Sequence, residues 1–364
     1  MQRINLKKEL SDTFIELQKE KVLDAEPPSF VGGYINANQK HKILQKQVIL
    51  LPSLGYYKIK ELLVTGLGVC ITSSNQIIHS NDIYFKAKYL ESNILKTFKS
   101  SLNNKVNELD LNMKPIRRIE ETCILLSQRG TNIYGHWLLD IIPKLTLIKH
   151  LIENGLKVIL PYEIPGYAYY LMSKHGLHPD NIIKHDFLKE DLLCNELIIP
   201  THGRFGLQDN IVHPSISLSY NSNNNNIAEN PSRKIFLSRK NVKNQLRRLI
   251  NRADIEERLV KLGYEIIYPE SMTLESQIKL FGETIIMVGE FGSALHNSLF
   301  APSSSKVVSL CGNHFINMVQ LHICNALSQK SAYVFGEAFY RKNNRINADF
   351  IIEPNHLEAA LEKT

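Results

Sequence analysis

The sequence predicts an α/β protein built as two Rossmann-like domains that face each other across a cleft. Three observations predict it. A chain of 364 residues suits two domains of ordinary size better than one. Short β-branched apolar segments alternate with helical periodicity over residues 123–199 and again over 234–335, the pattern of parallel sheets covered by helices. Between these stretches, residues 217–232 (SLSYNSNNNNIAENPS) are polar, Asn-rich and closed by a proline. Such a segment cannot bury enough apolar surface to order itself, so it reads as a linker. The expected division is therefore an N-terminal domain over 1–216, the linker over 217–232 and a C-terminal domain over 233–364.

Taken in order, the first forty residues read as a peripheral segment: a charged helix, then Pro27-Pro28 and Gly32-Gly33 as breakers. Residues 48–89 read as strands and turns, and 92–102 as a helix. A strand is expected at 123–126, a buried helix at 136–151, a strand at 157–160 and a helix at 166–174. Strands at 182–183 and 196–199 complete this half. After the linker the rhythm is regular. Strands at 234–237, 264–268, 284–288, 306–310 and 332–335 alternate with helices at 254–262, 273–281, 293–300 and 315–327. Gly263 and Gly282 stand where helix ends favour glycine, and a last short helix follows Pro354. In open parallel sheets, ligands bind beyond the carboxyl ends of the strands.

Composition narrows the function classes. The net charge of +7 suits anionic small ligands or an anionic membrane face. Lysine and arginine are scattered, with no basic stripe interleaved with aromatics, so no nucleic-acid partner is expected. The cysteines, at positions 70, 123, 194, 311 and 324, are odd in number and form no C-x-x-C, which fits a reducing compartment. No signal-like apolar core stands at the start, and no run approaches the ~18 apolar residues of a membrane span. A cytoplasmic protein is expected, with peripheral contact at the inner face of the plasma membrane left open.

Two segments carry chemistry. In the first, Tyr134-Gly135-His136-Trp137-Leu138-Leu139-Asp140, the His136 and Asp140 side chains share one helix face. A carboxylate one turn from an imidazole fixes its tautomer and raises its basicity, as a general base needs. The competing readings are a structural hydrogen-bonded pair and the short His-x-x-x-Asp signature of some acyltransferases. Tyr134 and Trp137 are acceptor-side candidates, with core packing the other reading for the chain's single tryptophan.

In the second, the strand 284–288 runs into Gly289-Glu290-Phe291-Gly292-Ser293 with a helix expected at once. Glycine allows close backbone approach, and the free N–H groups of a helix start attract phosphate. Ser293 would cap the helix or donate to a phosphate oxygen, and His296 and Asn297 lie in its first turn. A plain βα turn is the alternative. Glu290 would bind sugar or ribose hydroxyls or act as a second candidate base. Arg239 and Arg248 would clamp a diphosphate, with surface charge the alternative for each. His175, His178 and His185 have ligand-like spacing but lack a completing cysteine or carboxylate, so neither metal nor other cofactor is expected.

The order and spacing of several pieces resemble glycosyltransferase family 61, and in particular its branch associated with bacterial capsular polysaccharide genes. The pieces are Asn132 through Asp140 with Pro143-Lys144-Leu145, then Phe236-Leu237-Ser238-Arg239, Arg248-Leu249-Ile250-Asn251 and Leu262-Gly263-Tyr264. Val288-Gly289 through Asn297, with Leu299-Phe300-Ala301-Pro302, completes the set, and the resemblance covers residues 123–334. It implies a GT-B fold, an inverting mechanism and a nucleotide-sugar donor held mainly by the C-terminal domain. One departure stands out: where many members carry Gly-x-His-Gly-Ala, this chain has Phe291 in the histidine's place. The expected function is metal-independent, inverting glycosyl transfer to a glycan or lipid-linked glycan of a bacterial surface. His136 with Asp140 would be the base, and Arg239 with the loop 289–293 the diphosphate site. Acyl transfer through His136 and Asp140, or a non-catalytic polysaccharide-assembly role, are the alternatives.

Overall fold

The computed structural model describes residues 3–74, 76–79, 114–205, 210–221, 227–242, 246–314, 316–339 and 348–363. The chain divides into two compact units. One comprises Met1–Lys21 with Pro52–Leu207, the other Val22–Leu51 with Gln208–Thr364. Both are α/β with parallel strand pairing.

In the first unit a parallel group runs Asp191–Pro200, Cys123–Leu125, Lys157–Pro161, Ile182–His185 across the sheet. Val158, Ile159 and Leu160 are all fully buried, as a strand covered on both faces requires. The strands within the segment 48–89 are joined to this group and to one another by antiparallel pairing. Leu54–Thr65 pairs antiparallel with Asp191–Pro200, and Val69–Thr72 and Ile77–His79 continue the antiparallel meander. The turn between the first two of these carries Gly66 and Gly68 at positive φ. A β-carbon on Gly68 would lie 2.0 Å from the Ser127 carbonyl oxygen, so only glycine lets that turn close on the end of Cys123–Leu125. The helix expected at 92–102 lies outside the described residues.

The helix expected at 136–151 begins two residues earlier and is not uniform. Tyr134–His136 passes into a π-helical turn, Trp137–Ile141, then into Ile142–Leu147, and a break at Ile148 precedes Lys149–Glu153. Pro143 explains the wide turn. It has no N–H to return to Leu139, so the bonding slips by one residue and the Ile142 N–H donates to the Trp137 carbonyl.

The second unit follows the expected rhythm closely. Its sheet runs Glu265–Ile267, Arg233–Leu237, Thr284–Glu290, Lys306–Gly312, Lys330–Phe339, parallel throughout, with Asp349–Ile351 antiparallel at the edge. Arg252–Lys261, Leu274–Gly282 and Val319–Ala326 are the connecting helices, and Thr273 caps the second by accepting from the Ser276 N–H. The peripheral reading of the N-terminal forty residues does not hold. Phe30–Gly33 adds a parallel strand to Lys330–Phe339, so Val22–Leu51 belongs to this unit's core. Within the linker expected at 217–232, the described residues 217–221 and 227–232 are tied down. Ile216–Asn221 is a helix whose Tyr220 is buried edge-on against Phe300, and the Ala228 and Ser232 N–H groups donate to Gly282 and Glu283. The chain is divided between the two units after residue 207 instead.

Candidate functional site

In the first unit, polar side chains collect beyond the carboxyl ends of Cys123–Leu125 and Asp191–Pro200. Gln128, Thr131, Asp140, Lys144, Thr201, His202 and Arg204 are all less than 9% exposed. A buried cluster of this size is costly unless its members satisfy one another. They do. Asp140 is fully buried, and its Oδ2 lies 2.5 Å from His136 Nδ1. Arg204 grips the same carboxylate with both arms, Nε donating to Oδ1 at 2.9 Å and Nη2 to Oδ2 at 2.6 Å. Burial by itself would push the Asp140 carboxyl up. The Arg204 guanidinium and the His136 imidazole outweigh it and hold the group far below the usual carboxylate range.

The His136 imidazole retains 26% exposure, so a substrate can reach it. Gly130, at φ +94°, lies against its ring, and a β-carbon there would come within 2.5 Å of the imidazole Cγ. One turn further on, Lys144 Nζ donates to Gln128 Oε1 at 2.7 Å and lies 3.5 Å from His202 Nε2. Burial lowers the Lys144 ammonium to about 8, with the Asp140 charge opposing the shift. Of the two acceptor-side candidates, Tyr134 packs edge-on to Tyr167 at 5.1 Å. Trp137 is a core residue instead. It is fully buried and its ring N–H donates to the Thr131 carbonyl at 2.7 Å, which leaves it no face for an acceptor.

In the second unit the glycine loop follows Thr284–Glu290 as expected, but the helix after it does not match. Leu295–Phe300 is a six-residue 3-10 helix, with Ala294 at its N-cap position and no side-chain cap. It is too short to present a helix dipole, so any attraction for an anion there falls to side chains. Those side chains are arginines. Arg239 lies beside Gly292, where a β-carbon would be 3.7 Å from its Nη1. Arg247, which the sequence reading passed over for its neighbour, holds φ +60° and stacks its guanidinium 5.8 Å from the Phe291 ring centroid.

Arg239 Nη1 and Arg247 Nε are buried without a hydrogen-bond partner among the described residues. Burial lowers both pKa values, and the charge of Arg239 lowers that of Arg247 further. Two partly desolvated cations that repel each other are a standing demand for an anion.

The remaining donor-side candidates have structural partners. Arg248 spends its fork on Asp349, with Nη2 donating at 2.9 Å and Nε at 3.2 Å to Oδ2. Glu290 is 2% exposed and takes Arg252 Nε on Oε1 at 2.8 Å and Nη2 on Oε2 at 3.1 Å, so it is neither a sugar ligand nor a spare base. His296 is buried against Gln320 Oε1 at 3.2 Å, and Asn297 donates to the Ala294 carbonyl. Gly289 is a packing glycine, since a β-carbon would meet Leu295 at 3.1 Å and Leu237 at 3.2 Å. Ser293 is half-buried and its carbonyl accepts the His296 N–H. Among the described residues no group of three or more His, Cys, Asp or Glu is arranged to hold a metal ion.

An accessible imidazole backed by a buried carboxylate is suited to take a proton from a hydroxyl, and in the second unit one buried N–H of Arg239 and one of Arg247 have no partner among the described residues. Residues 134–308 match the family model Glycosyltransferase 61, a likeness over a little under half of the chain that supports a glycosyltransferase enzyme. The match begins at Tyr134, in the turn that carries His136, and ends in Lys306–Gly312 beyond the glycine loop. No curated protein matches the chain.

Proposed function

We propose that the protein is an inverting, metal-independent glycosyltransferase of the GT-B type that takes a nucleotide-sugar donor. The first unit carries the acceptor chemistry and the second holds the donor. The observation that carries this reading is the His136–Asp140 contact, with the imidazole still accessible. An inverting transfer needs one base. His136 Nε2 removes the acceptor hydroxyl proton as that oxygen bonds the anomeric carbon, and the bond from carbon to the diphosphate oxygen breaks. The leaving diphosphate gains one negative charge, and the guanidiniums of Arg239 and Arg247, each with one buried N–H that has no hydrogen-bond partner among the described residues, are suited to receive it. Cationic side chains in that place support the metal-independent assignment.

The acceptor class we assign is a glycan or lipid-linked glycan of a bacterial surface polysaccharide, made at the cytoplasmic face of the plasma membrane. A net charge of +7 favours an anionic lipid surface. No helix among the described residues is long and apolar enough to cross a membrane.

The test is transfer by His136→Ala from a panel of UDP-, GDP-, CMP- and dTDP-sugars, with nucleotide binding followed by calorimetry. Loss of transfer with binding retained supports the assignment. Unchanged turnover removes His136 from the chemistry.

A further inference from the structure

We infer that Arg204 is a positioning residue that selects the tautomer of His136, and through it the nitrogen that can accept a proton. This rests on His136 being the base, but it is read from the geometry of three side chains and tested without a transfer assay.

The Oδ2 atom of Asp140 is the shared point. It lies 2.5 Å from His136 Nδ1 and 2.6 Å from Arg204 Nη2, while Nδ1 and Nη2 are 3.1 Å apart. A guanidinium only donates. With Asp140 ionised, Oδ2 therefore accepts from Arg204 Nη2 and can accept from Nδ1 as well. If Nδ1 were bare, its lone pair would face a carboxylate lone pair at hydrogen-bond distance. An ionised Asp140 thus forces the proton of a neutral imidazole onto Nδ1 and leaves the Nε2 lone pair free.

Arg204 keeps Asp140 ionised. The carboxylate is fully buried, and burial on its own favours the protonated acid. A protonated Asp140 would donate its O–H to Nδ1, and the imidazole proton would move to Nε2. The base would then present a donor to the acceptor hydroxyl in place of a lone pair. Arg204 Nε on Oδ1 at 2.9 Å makes the grip two-armed, so both carboxylate oxygens are neutralised in one geometry. Besides Arg204 and His136, the charged and titratable groups that act on this carboxylate are His202 and Lys144. Lys144 Nζ is directed to Gln128 and His202.

The experiment is nitrogen NMR on full-length protein labelled with 15N-histidine, the His136 signals being assigned by their loss in His136→Gln. At pH 7.5 the wild type is expected to show protonated Nδ1 and bare Nε2. In Arg204→Gln the pattern should invert, and the reaction of His136 with diethylpyrocarbonate, which needs a bare nitrogen in reach, should slow about tenfold or more. Arg204→Lys keeps the charge but loses the fork, and should hold the wild-type tautomer. A wild type with protonated Nε2 overturns the proposal, whatever the variants do. So does a folded Arg204→Gln that keeps the wild-type tautomer. If transfer by the wild type proves absent while the tautomer follows Arg204 as expected, the proposed function fails and this inference stands.

Discussion

Arg247 stacks its guanidinium over the ring of Phe291 at 5.8 Å, in the position where family 61 members often carry a histidine. The contact places an apolar face under a cation whose Nε has no hydrogen-bond partner among the described residues. An aromatic face attracts a cation without satisfying its N–H donors, so Arg247 is held in place and left available. The neighbouring Arg248, on the same peptide segment, is consumed by Asp349.

This contrast gives the first prediction. Arg247→Ala should weaken binding of UDP or GDP by roughly ten- to a hundredfold, as expected for loss of a charge-assisted contact worth about 1.5–3 kcal/mol. Arg248→Ala should leave nucleotide affinity within about twofold and lower the melting temperature instead, since it removes both side-chain bonds to the buried Asp349. Calorimetric titration of both variants decides it, and equal losses would mean that the stacked arginine is not special.

Gly130 offers a second. At φ +94°, with the imidazole against it, alanine is opposed by both backbone and ring. Gly130→Ala should displace His136 and lower kcat by about tenfold or more, a misplaced base losing part of its ~10²–10⁴-fold contribution. Nucleotide binding by the second unit should be unaffected. Wild-type kcat in a folded variant would show that the ring tolerates displacement.

The buried Lys144 makes stability depend on alkaline pH. Its folded pKa of about 8 lies below the ordinary lysine value of 10.5, so between these limits the unfolded chain binds the extra proton. Stability therefore rises with pH across that window, by up to about 3 kcal/mol before other groups intervene. In Lys144→Met this rise should vanish. Urea midpoints at pH 7.5, 9 and 10 for both proteins measure it, and parallel curves would place the ammonium in a better-solvated site.

Glu290 separates structure from chemistry. Its carboxylate accepts both arms of Arg252 and the Leu249 N–H, all within one buried contact set. Glu290→Gln should cost about 3 kcal/mol of stability, because it leaves a largely buried arginine uncompensated. The protein that remains folded should transfer sugar at close to the wild-type rate. A stable variant with abolished turnover would return Glu290 to the list of bases.

Much of the second unit was legible in the sequence because its signals are local. Gly263 at positive φ ends Arg252–Lys261, Thr273 caps Leu274–Gly282, and apolar runs such as Lys306–Gly312 mark buried parallel strands. The first unit was harder to read, since period and β-branching do not say whether Leu54–Thr65 pairs parallel or antiparallel. Phe30–Gly33 was missed because its partner, Lys330–Phe339, lies some three hundred residues away.

At the site, the sequence by itself determined that His136 and Asp140 would meet, since four residues along a helical path bring two side chains onto one face whatever surrounds them. It also brought Arg239 and the glycine loop under suspicion, because strand ends and glycines are written locally. Only the tertiary structure decided which charges are already spent. Arg204 reaches Asp140 across 64 residues of sequence, Arg252 silences Glu290 across 38, and Asp349 takes Arg248 across 101, while Arg239 and Arg247 each keep a buried N–H without a partner among the described residues. A side chain's type sets what it could bind. Whether it is free to bind depends on the partner that folding places beside it, and that partner is chosen by how strand ends meet in space.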